Sequence, residues 1–154
     1  MNAAPLPPRK GGLSPAGEEI LRAVMPVVLG SLLPVAREDR EAALDEAMWA
    51  LDDYVAHLSP PLQAEAGMLM NLLALAPLRL LLLRTTKRWR DAPAASIEAF
   101  LHRTRTSRLY PVRRIFDSLH SMSVIAWFDL PRAWEAIGYP GPPVARTFRQ
   151  GYEG

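Results

Sequence analysis

Apolar side chains recur at intervals of three and four residues along most of this chain, and no stretch alternates apolar with polar positions as a half-buried strand does. Ile20, Leu21, Val24, Val27, Val28 and Leu32 mark one face of a first helix. Ser14 offers it a capping hydroxyl, and Pro15 suits the first helical position, where an N–H would go unused. Pro26 inside the run predicts a kink, and Gly30 to Pro34 predict its end. A second helix is expected from about Asp39 to Leu58, with Ala43, Leu44, Met48, Leu51, Tyr54 and Val55 inward. Its neighbouring carboxylates Asp52 and Asp53 diverge on a helix and read as solvated, as do Glu18 and Glu19.

The pattern then changes. A third helix, expected over about Leu62 to Arg88, is apolar on nearly every side between Met68 and Leu83. Such a helix is ordinarily the central one of a bundle, here kinked near its middle by Pro77. Asn71, Pro77 and Arg79 interrupt the run, which falls short of a bilayer span. A short amphipathic helix over about Ala95 to Thr104 turns Ile97, Phe100 and Leu101 inward. A long one from about Leu109 to Phe128 repeats Val112, Ile115, Phe116, Leu119, Met122, Ala126 and Trp127 along a packed face. Asp129 is expected to cap a last turn from Pro131 to Ile137, closed by Gly138 in the left-handed conformation. The expectation is an all-α single-domain bundle of about five to six helices over residues 13–143. A disordered leader precedes it (1–12, rich in proline and glycine), and a flexible tail follows (144–154).

Composition narrows the chemistry. Apolar residues make up 49% and charged ones 22% of the 154, which suits a chain that buries its own core. Without cysteine there is no disulfide framework, thiolate metal site or cysteine nucleophile. Arg9-Lys10 is not followed by a clean apolar run, so no secretory signal is expected; the expected location is the cytoplasm or the inner-membrane surface. His57, His102 and His120 fit no metal-ligand spacing, and no GxGxxG or Walker loop offers a nucleotide phosphate a cradle. The expectation is therefore no metal, no cofactor and no catalytic set in this chain. Asp117 and His120, one helical turn apart with Ser118 and Ser121 nearby, come closest to an acid–base pair but read as a polar helix face.

The net charge of +2 conceals an asymmetry. Ten acidic and five basic residues precede position 66, and six acidic and thirteen basic follow. From Arg79 to Arg114 ten basic residues face only Asp91 and Glu98, with Trp89, Phe100 and Tyr110 interspersed. Such a segment could bind nucleic acid or an anionic membrane surface, and it supports the alternative reading of a basic helical binding module. Its charges are spread over three helices without a helix-turn-helix, which ranks nucleic acid low and keeps peripheral membrane association open. The aromatics Trp127, Phe128, Trp134 and Tyr139 gather near the end. Trp127 fits the core, while Trp134 and the stiff Tyr139-Pro140 suit a partner surface. Trp127, Trp134, Tyr139, Pro140, Arg113 and Arg114 are the candidate partner-binding residues.

Two stretches carry a family resemblance. Leu13-Ser-Pro-Ala-Gly-Glu-Glu-Ile-Leu-Arg-Ala-Val-Met-Pro, with Leu32-Leu-Pro34, opens the helical part, and Trp134-Glu-Ala-Ile-Gly-Tyr-Pro-Gly-Pro142 closes it. Phe100-Leu-His-Arg-Thr and Ser107-Arg-Leu-Tyr-Pro111 lie between. Together they resemble the gluconate 2-dehydrogenase subunit 3 (gamma subunit) family over residues 13 to 143. The resemblance implies a small, non-catalytic helical subunit. Its partner would be a large glucose-methanol-choline type flavoprotein that holds FAD and oxidises an alcohol, with the small subunit aiding folding, stability or export. The start departs from the many relatives that carry a twin-arginine leader. That departure makes a role in export doubtful here and points to a complex acting on an apolar alcohol such as a sterol or terpenoid.

Overall fold

The Ser14 hydroxyl accepts the Gly17 N–H at 3.1 Å and Pro15 opens the helix behind it, so the first element starts where its capping residues require. The computed structural model describes residues 6–141. Among these it is all-helical. The helices are α1 (Pro15–Leu29), α2 (Arg37–Ala56), α3 (Pro60–Ala74), α4 (Ala76–Leu83), α5 (Ala94–Arg105), α6 (Tyr110–Phe128) and α7 (Pro131–Ala136), with single 3-10 turns at Gly30–Leu32 and Trp89–Asp91. Gly138 takes φ +68 after α7, as a left-handed helix end favours. The expected cap of α7 shifts by one residue: Leu130 holds that position, with no side-chain bond from Asp129. The expected tail, 144–154, lies outside the described residues.

Helix α1 is the axis of the bundle and packs against α2, α3, α5 and α6. Its Ile20, Leu21, Val24 and Met25 are fully buried, together with Met48 and Leu51 of α2, Phe100 of α5 and Leu119 of α6. Sealing one such side chain from water stabilises the fold by roughly 1.5–3 kcal/mol. Pro26 lies within α1 without ending it, and the Gly30 N–H bonds back to the Pro26 carbonyl.

The long apolar run behaves otherwise than expected. It divides at Leu75, whose φ −60 and ψ 129 are extended, and α3 and α4 meet at a bend of 76°. Proline explains the break. Pro77 has no N–H for the carbonyl four residues back, Leu73, and its ring clashes with a continued helix there. The indole N–H of Trp89 takes that carbonyl instead, at 2.9 Å, and Trp89 packs edge-on to Phe100 with ring centroids 5.5 Å apart. Nor is the run central. Only Met70, Leu73 and Leu83 of α3 and α4 are buried, while Leu72, Leu75 and Leu80 are exposed and Met68 and Leu81 keep 69% and 71% of their surface. No helix among the described residues is by itself long and apolar enough to cross a membrane.

Part of the expected disordered leader is held in place. The buried Asp52 carboxylate accepts the N–H of Gly11 at 3.0 Å and of Leu13 at 2.8 Å. Trp49 donates to the Pro7 carbonyl at 2.8 Å, and Lys10 pairs with Asp53 at 2.7 Å. Gly12 lies so close to α2 that a Cβ there would sit 2.3 Å from the Asp52 carbonyl oxygen. Asp52 is thus an internal anchor rather than a solvated carboxylate.

Candidate docking surface

Helices α3 and α6 both pack on α1, and a groove of about 550 Å³ lies between them, lined in part by Tyr54 of the last turn of α2. Tyr54 comes from α2, Leu58 from the connection that follows it, Leu62 and Leu69 from α3, Ile115 and Met122 from α6. The groove is mainly apolar, with Glu65, Arg114, Asp117, Ser118 and Ser121 as the polar part of its lining. Arg114 of α6 reaches Glu65 of α3 at 3.2 Å, so an ion pair joins the two walls. The exposed Leu62, Met68 and Leu72 continue the apolar surface along α3, and Met68 and Leu72 also line a shallower depression on its other flank. Contiguous exposed apolar area of this kind ordinarily marks a binding surface.

The candidate partner-binding residues separate into three groups. Trp127 retains 2% of its surface and belongs to the core, so it is unavailable to a partner. Arg114 stands on the groove wall; Arg113 does not, and bonds the carbonyls of Ser107 at 3.0 Å and Arg108 at 3.3 Å, its guanidinium 5.9 Å from the Tyr110 ring centroid. Trp134, Tyr139 and Pro140 form a separate feature beyond α6. The Trp134 indole donates to the Phe128 carbonyl at 2.6 Å and its ring meets Tyr139 edge-on at 6.2 Å. Gly141, at φ +83, closes this corner: a Cβ there would lie 3.1 Å from the Trp134 ring. The Trp-to-Gly-Tyr-Pro-Gly stretch therefore folds on itself, leaving Tyr139 and Pro140 exposed.

Asp117 and His120 do not converge. Asp117, Ser118 and Ser121 line the groove, whereas His120 stacks on Phe116 with centroids 5.4 Å apart. Among the described residues no group of three or more His, Asp or Glu side chains is arranged to hold a metal ion. The basic segment is partly engaged within the fold: Arg90 pairs with Glu19 and Arg114 with Glu65, and Arg103 bonds the Leu82 carbonyl.

No protein-family model, curated protein or solved structure matches this chain.

The sequence reading missed the groove and the Asp52 anchor. The groove has no local signature, because its walls are 49 residues apart at Glu65 and Arg114. A signal for the anchor was present: the glycine pair Gly11-Gly12 just before a helix start is the kind of sequence that lets backbone approach another helix closely.

Proposed function

We propose that this chain is a non-catalytic accessory subunit that docks on a large FAD-dependent alcohol dehydrogenase of the glucose-methanol-choline type and stabilises it. The observation that carries the docking half of this reading is the apolar groove between α3 and α6, whose lining includes the exposed Met68 and Leu72. A chain that leaves such residues in water loses stabilisation it could gain by covering them. The choice of partner rests on the resemblance of Leu13 to Pro34 and Trp134 to Pro142 to the gluconate 2-dehydrogenase small subunit. In this reading the large subunit holds the FAD and performs hydride transfer on an apolar alcohol, and this chain supplies no flavin ligand. The exposed Tyr139-Pro140 corner is a second contact candidate. The experiment is affinity purification of the tagged chain from its native cells, followed by the absorption spectrum of the eluate. A flavin spectrum in a complex containing one large second chain is the expected result. A colourless single chain overturns the reading.

A further inference from the structure

The geometry points to a second surface with a different occupant: the α3–α4 elbow and the segment after it form a surface that docks on an anionic membrane. Between Ala66 and Arg90 the chain has no acidic residue and five basic ones, Arg79, Arg84, Lys87, Arg88 and Arg90. Arg90 is engaged by Glu19, but among the described residues the exposed Arg84, Lys87 and Arg88 have no carboxylate partner. The same stretch exposes Leu75, Leu80 and Leu81. Arg84 follows Leu80 and Leu81 within one helical turn, its N–H bonded to the Leu80 carbonyl at 3.0 Å. It holds φ +54, the left-handed position at a helix end that glycine usually occupies. Exposed leucines and cations without a carboxylate partner therefore lie within one stretch, residues 75–88.

This pairing selects the partner. Leucines beside arginine and lysine suit the boundary between acyl chains and anionic headgroups, where the apolar groups sink and the cations meet lipid phosphates. Nucleic acid would use the cations but not the leucines. Trp89, the aromatic residue of this stretch, is 2% exposed and offers no face on which a base could stack. Leu73 and Leu83, both buried, tie the inner side of the elbow to the core, and the 76° bend turns α4 aside from the line of α3, so insertion is shallow. The proposal does not depend on the flavoprotein reading.

Sedimentation of the full chain with vesicles tests it. One set is phosphatidylcholine alone, the other equal parts phosphatidylcholine and phosphatidylglycerol. Binding to the anionic set at low salt should exceed binding to the neutral set by on the order of a hundredfold, as three surface cations contribute. L80S/L81S, made at exposed positions, should keep the helical circular dichroism spectrum and weaken binding by about tenfold or more. R84Q/K87Q/R88Q should abolish the preference for anionic lipid. Absence of retention on anionic vesicles overturns the proposal, as does retention that neither variant changes. Retention of a DNA duplex that persists in L80S/L81S assigns the cations to nucleic acid and overturns it equally.

Discussion

Helix α1 carries Glu18, Glu19 and Arg22 among its apolar residues and puts Ile20, Leu21, Val24 and Met25 in the middle of the bundle. Helices α3 and α4 together have only Glu65 and Arg79 as charged residues, yet bury just Met70, Leu73 and Leu83. The greasier segment is the more exposed one. A helix with one apolar face has one way to sit against the core, and its polar face can remain in water. A helix apolar all round is satisfied against the core on whichever side it presents, and the surplus on its other sides needs a different cover. In this protein the surplus faces the α3–α6 groove and the elbow, the two surfaces for which binding is proposed.

The comparison breaks first at Leu21. Leu21→Ala removes a fully buried side chain from the axis helix and should cost about 2–5 kcal/mol of stability, read as a lowered midpoint in urea denaturation. A loss under about 1 kcal/mol would show that α1 is not the centre of the core.

The polar anchor beside the core comes next. Asp52→Ala leaves the N–H groups of Gly11 and Leu13 without their acceptor, at an expected cost of about 1–3 kcal/mol. Trypsin should then cleave after Arg9 or Lys10 faster than in the wild type; equal cleavage rates would show that the segment is not tied down through Asp52.

A smaller effect follows from acid. The hydrogen bond from Lys10, 2.7 Å away, holds the Asp53 carboxyl below its ordinary 3.8, with minor help from His57. A depressed folded value means that the pair stabilises the attached N-terminal segment fully above pH 3.8 and less as pH falls through the lower value. Exchange of the segment's backbone amides, corrected for the intrinsic effect of pH, should therefore rise on acidification below that point. In Asp53→Asn the rise attributable to this pair should vanish.

The smallest effect lies on the exposed side. Leu81→Ala should change stability by no more than about 0.5 kcal/mol, because the side chain is 71% exposed. A loss as large as that of Leu21→Ala would remove the contrast between the two regions.

How far the sequence reveals this molecule varies with the range of the cause. Helix starts and ends depend on adjacent residues, and Ser14-Pro15, Pro60-Pro61 and Gly138 mark them well. The break at Leu75 was signalled by Pro77, but the Trp89 indole that takes over the Leu73 carbonyl comes from 16 residues away. Burial of Ile20, Leu21 and Val24 in α1 and of Leu119, Ala126 and Trp127 in α6 could be read from their periodic faces, whereas Ile115 and Met122 on the same face line the groove and Leu32 is exposed. The place of α3 could not be read, since a helix without a polar face carries no phase to say which side is inward. Trp127 followed the periodicity of α6 into the core, and Asp52 did not follow the polar expectation because its partners, Gly11 and Leu13, reach it from 41 and 39 residues away.

The most direct trial of the docking account places charge on the apolar surface without touching the core. M68E/L72E alters two exposed positions of α3 and should leave the free chain folded. Purified from native cells, the tagged wild-type chain should bring down a flavin-containing large subunit, and the variant should bring down about tenfold less or lower still, as expected when carboxylates meet a dry apolar interface. Equal flavin recovery by both chains would contradict the claim that this face of α3 is where the partner sits.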